Sequence, residues 1–345
     1  MTFTCIYCLK SHPAVSPSEA HIVPFVMGGS KAALDTVCSS CNGITTQQIE
    51  MRTLGFFLTF QSIFGIRGRR NRIKRVHGVL GVEELNAKIS LNERGEINEA
   101  TVIPTTDATG KPSYSIFGPL ESVEQKQLTL AERHPDSKWQ EIPTSERATV
   151  LMDFNIPLHA LELRRLAAKI AFEYFASLRG AFFVAYEDFD PVRSFIIDGK
   201  DVARLVGLVS DRKQFDVFRD IPPPYHMVWL VSHPRDQVMG AIVGLYSLFY
   251  YWVILSSRYP ALWPMEELLI EDPQSRAAVR PPPLPRAGTG ALRLPWSDML
   301  SAGGPDAGAA EKAAEAYARE KFNMAADRFD NLNSYSRLHA VDRDL

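Results

Sequence analysis

Cysteine is scarce in this chain: there are four among 345 residues, none beyond position 41. The amino-terminal text MTFTCIYCLK lacks a basic segment followed by an apolar one, so no signal peptide is read and a cytoplasmic location is expected. In a reducing compartment, cysteines in CxxC spacing read as metal ligands, not as disulfides. Neither an internal repeat nor a glycine-rich phosphate loop is present, which removes repeat architectures and P-loop nucleotide chemistry. Acidic residues are few at one end. Residues 1–76 carry nine basic and three acidic side chains, a net +6, and the remainder carries 29 basic and 37 acidic, a net −8. A basic amino-terminal module on an acidic body is what an anionic polymer ligand requires of only one end.

Long apolar runs are also lacking, with one exception, VMGAIVGLYSLFYYWVIL at 238–255, which reaches the length of a membrane span. Gly240, Gly244 and Ser247 interrupt it, and β-branched and aromatic residues dominate it, so two buried strands are predicted and no membrane contact is expected.

What the chain does have is concentrated between Cys5 and Asn42: CIYCLKSHPAVSPSEAHIVPFVMGGSKAALDTVCSSCN. Two CxxC pairs, Cys5/Cys8 and Cys38/Cys41, enclose 29 residues that contain a His-x-x-Pro and a Gly-Gly. A CxxC turn brings two thiolates to one ion, and two such turns complete a tetrahedron, so these four are assigned to a structural zinc with no vacant position. Such an ion folds a segment too small to hold itself by burial. Residues 1–8 read as a short strand entering the first knuckle, Glu19–Phe25 as a second extended piece, Gly28–Gly29 as a turn and Ala33–Val37 as a returning strand. Apolar spacing at Ile49, Leu54, Phe57, Leu58, Phe60, Ile63 and Phe64 predicts a helix over about 42–64. Six basic residues follow in the nine positions 67–75: Arg67, Arg69, Arg70, Arg72, Lys74 and Arg75. They read either as a solvated loop or as phosphate contacts.

Further on, residues 79–118 suggest hairpins and 122–134 a polar helix. A helix between Pro157 and Gly180 has Leu158, Leu161, Leu166, Ile170, Phe175 and Leu178 as its buried stripe, leaving Arg164, Arg165 and Lys169 as expected surface charges. Another helix is predicted around 191–198 and a strand at 227–232. The prolines of 278–286 suggest a linker, and the alanine-rich 306–328 a helix. The class that follows is α+β: a zinc module with its basic segment (1–76), a larger α+β domain (77–270), a Pro/Gly-rich linker (271–304) and a helical tail (305–345).

The opening stretch resembles the HNH endonuclease family, whose usual text is a CxxC, an acidic residue before a His, an Ile-x-Pro, a Gly-Gly and a second CxxC ending in His or Asn. The resemblance implies a ββα fold around a catalytic divalent cation, Mg²⁺ or Mn²⁺, distinct from the structural zinc. It makes His21 the general base toward water, and an imidazole suits that work at neutral pH. Asn42 becomes an oxygen ligand of the cation and DNA the expected substrate. Ala20 stands where the family has its acidic ligand, and Ala33 where it has Asn. Glu19, two residues before His21, shares a face with it along an extended segment and is the substitute carboxylate. Asp35 is a candidate to orient the imidazole. Besides a metal-dependent nuclease, the same text admits a zinc-knuckle module that binds nucleic acid or protein without a catalytic cation, or a zinc-stabilised scaffold whose work is done by residues 150–270. Oligomeric state is left open.

Overall fold

Among the described residues of the computed structural model, every strand pairing is antiparallel. The structure describes residues 2–13, 18–30, 36–67, 76–80, 85–89, 99–106, 112–135, 138–142, 150–151, 158, 160–200, 204–209, 221, 223–233, 237–259, 265–279, 312, 316 and 335–341. Contacts divide it into two units, one of Met1–Gly55 with Pro157–Ala325 and one of Phe56–Ile156 with Ala326–Leu345.

The first unit opens with a hairpin, β1 (Thr2–Thr4) and β2 (Ser11–Pro13), pairing Thr2 with Pro13 and Thr4 with Ser11. Glu19–Phe25 was expected to be a strand. Instead only His21 makes a single-residue bridge, and Phe25–Met27 closes a 3-10 turn after Pro24. The turn ends at Gly28, whose φ of 97° is the left-handed conformation glycine tolerates and whose N–H reaches Phe25 O. Of the expected return strand, residues 33–35 lie outside the described residues. Helix α1 (Ser39–Thr45) then starts on Cys38 and passes through a π-helical turn (Thr46–Glu50) into α2 (Met51–Ile63), which together occupy the predicted helix; from Phe56 on, α2 is counted in the second unit. Thr53 Oγ1 bonds the carbonyls of Ile49 and Glu50, at 3.0 and 3.1 Å, where the π turn gives way to α2.

In the second unit β3 (Val76–Leu80) pairs with β4 (Leu85–Ile89), and β5 (Thr101–Thr106) with β6 (Pro112–Pro119), the expected hairpins. Helix α3 (Leu120–Arg133) packs Val123 and Leu130 against Ile116 and Val102. β7 (Lys138–Ile142) and β8 (Val150–Leu151) complete two sheets. A strand from the far end, Tyr335–Val341, inserts between β6 and β7. It lies in the stretch expected to be a helical tail, and the correction has a local reason: after the alanine-rich segment the text turns to YSRLHAV, which offers no helical stripe and fills an open strand position. The predicted helix over 306–328 lies outside the described residues except for Lys312 and Ala316.

Back in the first unit, α4 (Leu161–Arg179) ends at Gly180 with φ 83° and is followed by α5 (Ala181–Val184) and α6 (Asp190–Asp198). A six-stranded sheet has the order β14-β13-β10-β11-β12-β9, formed by β9 (Val206–Leu208), β10 (His226–His233), β11 (Val238–Leu245), β12 (Phe249–Ser256), β13 (Glu266–Asp272) and β14 (Ala277–Ala278). The long apolar run is thus the β11–β12 hairpin, apolar at nearly every position because every residue is buried. Its turn places Tyr246 and Ser247 at φ 56° and 52°, the pair of left-handed residues that a tight hairpin needs. No helix among the described residues is long and apolar enough to cross a membrane.

Two expectations for α4 are corrected. Leu161 and Leu178, predicted on its buried stripe, are 39% and 40% exposed because they sit at its ends. Arg165 and Lys169, predicted on the surface, are buried, and Arg164 is half-buried. Arg165 caps α6, donating to the carbonyls of Ile196 (Nε, 3.0 Å) and Ile197 (Nη2, 2.9 Å), and Arg164 donates to Val206 O at 3.0 Å. α4 is covered on more sides than its amphipathic pattern indicates, and its charges are internal fasteners.

Candidate functional site

The two knuckles close on each other through the backbone. Leu9, at φ 56°, turns the chain after Cys8, so that Cys5 N reaches Lys10 O at 3.0 Å and Leu9 N reaches Cys5 O at 2.9 Å. Ile6 N then donates to Thr36 O at 2.8 Å, tying the first knuckle to the approach of the second. The Sγ atoms of Cys5, Cys8, Cys38 and Cys41 all lie within 4.8 Å of one another, and Cys8 and Cys38 are 4.0 Å apart. Sulfurs about 2.3 Å from a tetrahedral zinc are separated by roughly 3.8 Å, so the four fit one such ion. Backbone N–H groups already point at the sulfurs: Cys38 N to Cys5 Sγ at 3.4 Å and Cys41 N to Cys38 Sγ at 3.5 Å. Burial raises the Cys5 and Cys41 thiols above the ordinary range. At Cys38 burial is outweighed by the N–H and thiol donors of Cys41, and the thiol is lowered. A cation is what the remaining buried sulfurs need in order to become thiolates. His12, which sequence reasoning did not single out, places Nε2 3.4 Å from Cys8 Sγ, with its ring 5.6 Å from that of Phe3. Its only sequence signal is its place on the strand facing the first knuckle.

His21 lies in the loop between the knuckles, partly exposed, with its ring edge-on to Phe25 at 5.3 Å. The Arg276 guanidinium lies over the other ring, 3.8 Å from the Phe25 centroid. Asn42 is in the first turn of α1, half-buried, with its N–H bonded to Cys38 O at 2.9 Å. Glu19 is exposed and Ala20 is 1% exposed, so a carboxylate at position 20 would point into the core here. Asp35, Arg69, Arg70, Arg72, Lys74 and Arg75 lie outside the described residues, and Arg67 is half-buried. Among the described residues, the four cysteines form the one group of three or more His, Cys, Asp or Glu side chains that converges as a metal site would.

The loop from His21 to Ser30 rests on the sheet. Gly29 is required because a Cβ there would lie 2.0 Å from Val23 O, and one at Gly28 would lie 2.4 Å from the Pro273 Cβ. His226 Nε2 donates to Met27 O at 3.1 Å while its Nδ1 accepts the Tyr246 N–H at 3.3 Å, which fixes the neutral tautomer. Burial accordingly holds His226 down to about 4. Ser30 Oγ donates to Glu271 Oε1 at 2.9 Å.

Beneath the loop is a buried charge cluster that sequence reasoning missed. The fully buried Lys169 Nζ pairs with Glu50 Oε1 and Glu173 Oε2, both at 3.0 Å, and donates to His21 O. Tyr7 OH, from inside the first knuckle, donates to Glu173 Oε1 at 2.9 Å. Burial opposes the ammonium, but the two carboxylates outweigh it and Lys169 is raised. Burial lifts Glu173 to about 7 against the pull of Lys169, and burial with Glu173 beside it lifts Tyr7 well above its ordinary range.

Residues 5–55 match the HNH endonuclease family, which spans both knuckles, His21, Asn42 and the start of α2. No curated protein and no solved structure matches the chain.

Proposed function

We propose that residues 5–55 are an HNH-type nuclease site that hydrolyses phosphodiester bonds of DNA, with His21 as general base. The observation that carries this reading is the placement of His21. It is a partly exposed imidazole in a loop pinned between two metal-type knuckles, inside the segment that matches the family. Zinc is assigned to Cys5, Cys8, Cys38 and Cys41 as a structural ion, since four sulfur ligands leave it no open position.

In the reaction, the His21 imidazole accepts a proton from water as the water oxygen bonds to phosphorus, and the phosphorus–O3′ bond breaks to leave a 5′-phosphate and a 3′ oxygen that takes up a proton from solvent to become the hydroxyl. Asn42 and Glu19 are the oxygen donors assigned to a hard cation, Mg²⁺ or Mn²⁺, which keeps most of its waters and needs few protein ligands. When bound it supplies positive charge at the phosphate and the departing oxygen. Arg67, Arg69, Arg70, Arg72, Lys74 and Arg75 are assigned to the DNA backbone, so affinity falls steeply with salt. Relaxation of supercoiled plasmid by the full chain, with Mg²⁺ or Mn²⁺ and with or without chelator, tests the reading. Metal-dependent nicking that weakens in Asn42→Ala and Glu19→Ala supports it. Full cleavage by Glu19→Ala removes that residue as a ligand.

One observation favours a second reading. Ala20 is buried, and among the described residues His21 belongs to no group of three or more His, Cys, Asp or Glu side chains that converges as a metal site would. A zinc knuckle that binds nucleic acid without a catalytic cation fits this, and it predicts DNA binding that is indifferent to Mg²⁺ with no nicking under any metal.

A further inference from the structure

The ammonium of Lys169 pairs with Glu50 and Glu173 and donates to the backbone carbonyl of His21. Each belongs to a different part of the first unit. Glu50 ends the π turn of the helix that carries Asn42, Glu173 is one turn further along α4 and holds Tyr7 inside the first knuckle, and His21 O belongs to the proposed base. The carbonyl of Ile22 lies 3.4 Å from the same nitrogen. A lysine fully withdrawn from water is costly unless its charge is matched. Here two carboxylates match it, and it also donates to the peptide of His21.

We propose that Lys169 is a positioning residue for His21: it fixes the His21 carbonyl, and with it the direction from which the imidazole projects, relative to the metal knuckle and the helix of Asn42. Lys169 lies far outside the segment that matches the family, so the site is completed by α4. The inference rests on the reading of His21 as the base. The hydrogen bonds from His226 to Met27 O and from Ser30 to Glu271 hold the loop further along the chain and do not involve His21.

The test uses the full chain. Lys169→Met alone leaves two carboxylates facing each other, so the informative variant is Lys169→Met/Glu173→Gln, in which the amide can still accept the Tyr7 hydroxyl. Expected are a wild-type circular dichroism spectrum and metal content, a kcat for plasmid nicking lower by about 100-fold, and KM within about threefold of wild type. The imidazole resonance of His21, assigned by its absence in His21→Ala with ¹³C-labelled histidine, should shift or broaden. Nicking within about threefold of wild type together with an unmoved His21 resonance would overturn the proposal. If the variant fails to fold, the wild type decides. A slowly exchanging lysine ammonium signal, lost in Lys169→Arg and coupled to the carbonyl carbon of ¹³C-labelled His21, is expected, and its absence refutes the contact. If the wild type nicks no DNA under any metal, the nuclease reading fails by itself, and the His21 resonance still reports whether Lys169 sets the residue's geometry.

Discussion

The cysteine frame and the His21–Ser30 loop occupy the same stretch of chain and are held by different means. The frame is local: short backbone bonds around Leu9 and Thr36 bring four sulfurs together, and a metal ion can close it. The loop is held from a distance, by Lys169 at His21, by His226 and Tyr246 at Met27 and by Glu271 at Ser30. A metal knuckle can therefore be built from a short motif, whereas the geometry of the residue inside it depends on buried groups supplied by the rest of the unit.

The largest effect is expected from breaking the frame. Cys5→Ser or Cys41→Ser should abolish stoichiometric zinc and unfold the opening segment, because structural zinc contributes about 10–16 kcal/mol to such folds. Metal analysis and far-ultraviolet circular dichroism check this, and full zinc retention in either variant would contradict the tetrathiolate assignment. Breaking the loop comes next. Gly29→Ala places a methyl 2.0 Å from Val23 O, so the backbone must move, at on the order of 3 kcal/mol, read as a shifted denaturation midpoint with zinc content unchanged.

Acid should act on the loop as well. The folded state holds His226 at about 4, below its usual 6.5, so the unfolded state binds the extra proton and stability falls as pH drops from about 6.5 to about 4. The shift corresponds to roughly 3 kcal/mol over that window, and His226→Gln should flatten it in denaturant titrations at several pH values. Tyr7→Phe removes one hydrogen bond to a buried carboxylate, at about 1.5–3 kcal/mol, without loss of zinc. The smallest effect is predicted at the surface pair Arg52–Glu162, 3.4 Å apart, where Arg52→Ala should change stability by less than about 1 kcal/mol.

The frame was legible because its information is contiguous: spacing alone places four thiolates, and Gly28–Gly29 announces a tight turn that the close approaches to Val23 and Pro273 explain. The hairpin β11–β12 was legible for a related reason, since glycines and a continuous apolar text describe a strand buried throughout. The Lys169 cluster was not. Its partners Tyr7 and His21 O lie 166 residues from Glu173 and 148 residues from Lys169, respectively, and no periodicity encodes such pairs. A helix pattern assigns charges to solvent by default, and α4 departs from it where its charges find matching groups inside. The extended reading of Glu19–Phe25 failed for a similar reason: Pro24 begins a turn there instead of straightening a strand.

If His21 is the base of a phosphodiester hydrolase, removing its imidazole must stop the cleavage of DNA. The most direct measurement is the nicking rate of supercoiled plasmid by the wild-type chain and by His21→Ala, at equal zinc content, with Mg²⁺ or Mn²⁺. Chelator-sensitive nicking by the wild type and a loss of about 100-fold or more in the variant are expected, the usual contribution of general base catalysis. Equal rates in the two proteins, or no nicking by the wild type under either metal, would contradict it.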